Sequence, residues 1–144
     1  MKQYVDSGKI RYTVLDAPLP IHKLAAKAAE ASHCAEEQGK FWEMHDQMMA
    51  NQKALNDLSS YATSLSLDVP RFEECLKTDK YADQVNKDKA VASQLNISGV
   101  PGFVLALSDP QKPSKVKGIS FIMGAQPFSV FQKEIDQALA DLSK

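Results

Sequence analysis

Apolar positions recur along this chain at two periods, a helical and a strand one, which alternate from end to end. Residues 2–8, KQYVDSG, read as the end of a helix, with Gly8 where a C-terminal glycine commonly sits. Ile10-Arg11-Tyr12-Thr13-Val14-Leu15 is rich in β-branched and aromatic residues and predicts a strand, ended by Asp16 and the Pro18/Pro20 pair. From Pro20 to Gly39 the spacing turns helical: Leu24, Ala28, Ala31 and Ala35 recur three and four apart, giving a small packed face. Phe41, Trp42, Met44, Met48 and Met49 crowd a second short helix, and Asn51 to Leu55 reads as a turn. Leu58, Tyr61, Ala62 and Leu65 mark a third helix. Phe72, Cys75 and Leu76 mark a fourth after Leu67-Asp68-Val69-Pro70, and Tyr81, Val85, Ala92 and Leu95 continue helically to Asn96.

The strand period returns at the end. Pro101 to Leu107 is an apolar run of strand length. Ser108 to Gly118 predicts a solvated loop, and Ile119 to Met123 a second strand closed by Gly124. Pro127 opens a last amphipathic helix carrying Phe128, Phe131, Ile135, Leu139 and Leu142. A helical block from about residue 20 to about 95 thus separates one strand from a final hairpin. That order predicts an α/β layer fold with a helical insertion.

With 144 residues, the chain is long enough for one domain with its own core. A hydrophobic fraction of 44% with 24% charged residues excludes wholesale disorder and a disulfide-dense miniature scaffold. Lys+Arg 17 against Asp+Glu 18 gives no basic field for nucleic acid or an anionic membrane. No segment approaches the ~20 apolar residues of a membrane span. MKQYVDSGKIRYTVLD contains no apolar stretch of the secretory-signal kind. Arriving in mid-helix at residue 2 leads us to expect a chain that starts downstream of its natural beginning.

Few residues offer chemistry. In Gly99-Val100-Pro101, a proline stands directly before an apolar strand, where it cannot donate to a ladder. A cis peptide at the strand's first residue is one solution; an ordinary trans turn is the other, and local sequence favours it. Cys34 and Cys75 are 41 positions apart, not C-x-x-C. Two buried inert thiols and a disulfide joining two helices both fit. The bridge would stabilise by roughly 3–4 kcal/mol on a chain-entropy estimate. His22, His33 and His45 match no compact metal motif, and His33 and Cys34 point about 100° apart on a helix. Packing or surface histidines are the simpler reading, and no metal is expected. The aromatic and methionine residues of FWEMHDQMM at 41–49 read as core before they read as a peptide-binding surface. Asn96-Ile97-Ser98 fits a glycosylation sequon too common to carry weight. There is no Walker loop, G-x-G-x-x-G, G-x-S-x-G or H-E-x-x-H.

Three stretches are recognisable together: YVDSGKIRYTVLDAPLPIHKLAAKAAEASHCAEEQGKFWEMHDQMM, RFEECLKTDKYADQVNKDKAVASQLNISGVPGFVLAL and IMGAQPFSVFQKEID. The EQGKFWEMHD and GAQPF runs are the most specific. On them the chain resembles the DsbA-like branch of thioredoxin-fold proteins, the bacterial thiol–disulfide oxidoreductases. The resemblance implies a thioredoxin core with an inserted helical domain. The core would be residues 1–18 and 97–144, and the insertion residues 19–96. It also implies that Val100 and Pro101 form the cis-proline loop that holds substrate backbone. Thr often precedes that proline in the family; here the residue is Val100. Cys34 and Cys75 match positions where some relatives carry a second disulfide inside the helical domain, which implies a structural bridge.

The resemblance also shows a departure. In the family a strand and an F-x-x-x-x-C-x-x-C motif precede the helix that ends in the YVDSG-type sequence, and this chain begins inside that helix. The expectation is an N-terminally truncated core with no catalytic residue in this chain, no nucleophile for exchange, and no cofactor. The absent strand would be central, so another chain must supply it by self-association, the sheet must re-pair, or the chain is a fragment of a longer product; a fragment is expected. Implied partners are unfolded or cysteine-containing proteins, with no nucleic acid and no membrane span, in the periplasm or another extracytoplasmic space. Two other readings are a redox-inactive peptide-binding or assembly module using the cis-proline edge, and a Cys/His metalloprotein.

Overall fold

The computed structural model describes residues 2–109 and 111–142. Pro110, which the sequence reading places in a loop, lies outside the described residues. The chain forms two compact units, Met1–Leu95 and Asn96–Lys144.

The first unit is helical. Its elements are α1 (Lys2–Val5), α2 (Ala25–Glu36), α3 (Phe41–Ala50), a 3-10 turn (Gln52–Ala54), α4 (Leu58–Ser64), α5 (Val69–Lys77) and α6 (Ala82–Gln94). Helix α2 is the hub and packs against α3, α4, α5 and α6. Its small face makes that possible: Ala31 and Ala35 are fully buried, so neighbouring helices approach its backbone closely. Around it gather Cys34, Met44, Met48, Tyr61, Ala62, Phe72 and Cys75. The Tyr61 hydroxyl satisfies itself by donating to the Asn51 carbonyl.

Local chemistry sets the helix ends. Gly39 has φ +72°, and the Lys40 N–H donates to the Ala35 carbonyl at 2.9 Å. That left-handed step, which favours glycine, ends α2 and turns the chain into α3 within four residues. At α5 the Asp68 carboxylate accepts from the Arg71 N–H at 3.1 Å, and Pro70 lies in the first turn. Asp57 caps α4 in the same way on the Ser60 N–H, at 3.1 Å.

Two boundaries differ from the sequence reading. Helix α2 begins at Ala25, not Pro20; residues 19–25 form two successive four-residue turns, with the His22 N–H on the Leu19 carbonyl and the Ala25 N–H on the His22 carbonyl. The strand expected at Ile10–Leu15 is irregular chain, and the described residues form one sheet of two strands. Strand propensity needs a ladder partner to be realised. The segment is tied to neighbouring helices by a Tyr12–Trp42 ring stack with centroids 5.8 Å apart and by Asp16, which meets His33 at 2.8 Å.

The second unit is a hairpin with a helix on it: β1 (Gly102–Asp109), β2 (Lys112–Met123) and α7 (Phe128–Leu142). The pairing is antiparallel, from Gly102↔Met123 to Asp109↔Lys112, with shifts at Leu105/Ala106 and Ser108/Asp109. The 108–118 loop read from its lysines is therefore largely strand. Where the strands meet, the Asp109 carboxylate accepts from the Gln111 N–H at 2.8 Å. One face of the hairpin is buried, with Phe103 edge-on to Phe131 at 4.8 Å and Ile122 and Ile135 beneath. Val104, Phe121 and Met123, on the other face, are exposed.

Candidate functional site

The Val100–Pro101 peptide bond is cis, not the trans turn that local sequence favours. The segment is anchored from the hairpin base, where the Gly124 N–H donates to the Pro101 carbonyl at 2.8 Å. Val100 itself is 51% exposed. The next residue is closely packed: a Cβ on Gly102 would lie 3.0 Å from Ile97 Cγ2 and 3.6 Å from the Phe121 ring, so a larger residue would require Ile97 to shift. Gly102 thus seats the proline segment on the strand.

Cys34 and Cys75 are joined by a disulfide, which ties α2 to α5 with Cα atoms 5.9 Å apart. Of the two alternatives open in the sequence, the bridge is the one formed. Both cysteines belong to the core cluster, and neither is free. A second set of contacts fastens the same two helices. Glu37, just after α2, takes Arg71 Nη2 at 3.1 Å, Lys80 Nζ at 2.6 Å and the Tyr81 hydroxyl at 3.0 Å. Lys80, with Tyr81 and Arg71, holds the Glu37 carboxyl below the usual carboxylate range. Burial, with Glu37 beside it, raises the Tyr81 phenol above its ordinary value.

The three histidines do not converge. His45 pairs with its neighbour Asp46 at 3.0 Å, and His22 lies on the exposed turn before α2. His33 is the structured one. Its Nε2 meets Asp16 Oδ2 at 2.8 Å and its Nδ1 meets Glu36 Oε2 at 3.2 Å, while its ring stacks on Tyr81 with centroids 5.2 Å apart. Asp88 of α6 completes the group: it accepts the Asp16 N–H at 3.1 Å and Gln84 Nε2 at 2.7 Å. Donor atoms of Asp16, His33 and Asp88 lie within 4.8 Å of one another, the spacing of a metal-ligand set. Each is already engaged in hydrogen bonds, so the group reads as an imidazolium held between carboxylates. The two sulfurs, bonded to each other, offer no thiolate.

The Asp16 hydrogen bond, supported by Glu36, raises the His33 pKa from 6.5 to about 9. A raised histidine stabilises the fold fully below pH 6.5, and that contribution is lost as pH rises through about 9. Allowing for solvent screening, the effect is on the order of 1–2 kcal/mol. The facing groups are Asp16, Glu36, Asp88 and the Tyr81 and Phe41 rings. Urea titrations followed by the fluorescence of Trp42 should show wild type losing its advantage over His33→Gln between these limits. Stability curves that stay parallel with pH would exclude the ion pair.

Sequence reasoning missed both groups because their members are far apart in the chain: Asp16 and Asp88 are 72 positions apart, Glu37 and Tyr81 44. The HCAEEQGK run supplies His33, Cys34, Glu36 and Glu37 to both, and that density of charge beside a cysteine was the one available signal.

The described residues thus combine a hairpin with its terminal helix, a cis-proline segment at the strand entry and a disulfide-tied helical unit. The chain belongs to the thioredoxin family: the family model described as Thioredoxin matches residues 1–122. Among curated relatives it is 38% identical to the Na(+)/H(+) antiporter NhaA 3 of Salinispora tropica, over 81% of this chain and 18% of that protein. It is 42% identical to NhaA 1 of Salinispora arenicola, over 68% and 16%. It is 36% identical to NhaA of Herminiimonas arsenicoxydans, over 65% and 15%. The chain thus spans less than a fifth of the length of these relatives. No solved structure matches it. Among the described residues, no helix is long and apolar enough to cross a membrane.

Proposed function

We propose that this chain is the substrate-holding and helical part of a DsbA-like thiol–disulfide oxidoreductase domain, working on extracytoplasmic proteins, and that the chain itself is redox-silent. In this reading residues 1–18 and 97–144 are the thioredoxin core and residues 19–96 the insertion. Val100 and Pro101 hold the backbone of an unfolded or cysteine-containing protein. The observation that carries the reading is the state of the cysteines: the chain has 2, and they are bonded to each other inside the helical unit. A thioredoxin-family exchange reaction needs an accessible low-pKa thiolate, and these buried cysteines do not supply one.

The antiporter match favours a second reading, in which the domain is an accessory module of a larger protein and binds peptide without exchanging thiols. The relatives named as sodium–proton antiporters are proteins of which this chain matches less than a fifth, and this domain would serve such a protein rather than perform antiport.

Fluorescence anisotropy of a labelled, cysteine-free unfolded peptide tests the holding role common to both. Saturable binding is expected, weakened at least about fivefold by Val100→Asp, which buries no charge because Val100 is half exposed. Unsaturable binding, or binding indifferent to Val100→Asp, would remove Val100 and Pro101 from the site.

A further inference from the structure

The contact between Glu37 and the disulfide is not explained by helix packing alone. Cys34 is 1% exposed and lies wholly inside the core. Cys75, 6% exposed, lines an open cleft of about 470 Å³ together with Glu37, Arg71, Glu74, Thr78 and Lys80. That cleft has room for a small thiol. Cys75 is the more exposed of the two, so reduction is expected to enter there: a thiolate bonds to its Sγ, the bond to Cys34 breaks, and Cys34 leaves as a thiolate that takes a proton from water. A second thiol then releases Cys75 and carries off the oxidised reductant as its own disulfide.

Two cations, Arg71 and Lys80, stand in the cleft and would draw an anionic nucleophile towards the sulfur. Glu37 counters both. Its Oε2 takes Arg71, and its Oε1 takes Lys80 while lying 3.8 Å from Cys75 Sγ. A disulfide sulfur carries no hydrogen, so this last approach is a carboxylate set against the sulfur and not a hydrogen bond. Tyr81 fixes the carboxylate in place through its hydroxyl.

We propose that Glu37 is an electrostatic guard over Cys75, neutralising the cleft's cations and covering the sulfur at which a reductant is expected to enter, so that the bridge resists thiols. The guard is independent of what the Val100–Pro101 edge binds.

The test is the reduction rate of the folded chain at neutral pH, followed by thiol release, with two reductants. One is dithiothreitol, which attacks as a thiolate; the other is tris(hydroxypropyl)phosphine, which attacks uncharged. Glu37→Gln should speed reduction by dithiothreitol on the order of tenfold and leave the phosphine rate within about twofold. Glu74→Gln removes the same charge from the same cleft, where Glu74 is exposed and pairs with Lys77 at 3.8 Å, and should leave both rates within about twofold. Equal acceleration by both reductants in Glu37→Gln would show loosened packing and overturn the guard. So would an unchanged dithiothreitol rate, or a Glu74→Gln variant as fast as Glu37→Gln.

Discussion

Replacing Cys34 and Cys75 together by alanine is expected to lower the stability of the helical unit by about 3–4 kcal/mol. The bridge closes a separation of 41 residues, and a cross-link of that span removes much of the unfolded chain's freedom. It lies where α2 meets α5, among fully buried Ala31, Ala35 and Phe72, so native packing adds to the entropic term. Alanine is the right replacement, because a serine hydroxyl there would be buried without a partner. The measurement is urea unfolding with the single tryptophan, Trp42, as reporter of that unit. Wild type reduced before unfolding should reproduce most of the loss. A change below about 1 kcal/mol would mean that the Glu37 contacts, not the disulfide, fasten the two helices.

Phe72→Ala should have an effect of similar size, about 3–5 kcal/mol. Among the described residues Phe72 is the largest fully buried side chain, and Met44 in the same core cluster is fully buried too. Removing the ring leaves a cavity that rigid neighbours, one of them cross-linked, cannot close. Phe72→Leu retains most of the volume and should cost about 1–1.5 kcal/mol. Phe72 and Cys75 are one helical turn apart on the same face of α5, so combined variants should lose less than the sum of their parts. The same urea titration reads all of them, and additive losses would contradict a single shared core.

The helical block was legible in the sequence because its signals are local. Alternating small and large apolar residues, Gly39 and the Asp68-x-Pro70 start each act within one or two turns. The hairpin was misjudged because lysines on an exposed strand look like a loop: composition reports solvent exposure, and an exposed strand shares it. Ile10–Leu15 failed for the opposite reason. Its composition is that of a strand, but a strand exists only through a partner elsewhere. The proline segment was visible as an anomaly and given meaning by resemblance, whereas its cis bond was not readable from Gly99-Val100-Pro101 alone. The Asp16–His33–Asp88 and Glu37 groups are products of tertiary packing, and no spacing rule reaches across 72 residues.

Insulin reduction by dithiothreitol tests the central claim most directly, namely that this thioredoxin-family chain commits its cysteines to a staple and catalyses no exchange. With the chain added at micromolar concentration, precipitation of the insulin B chain should begin no earlier than with dithiothreitol alone, and the Cys34→Ala/Cys75→Ala variant should behave identically. Clear acceleration by wild type that disappears in that variant would contradict the account and make Cys34 and Cys75 a working redox pair.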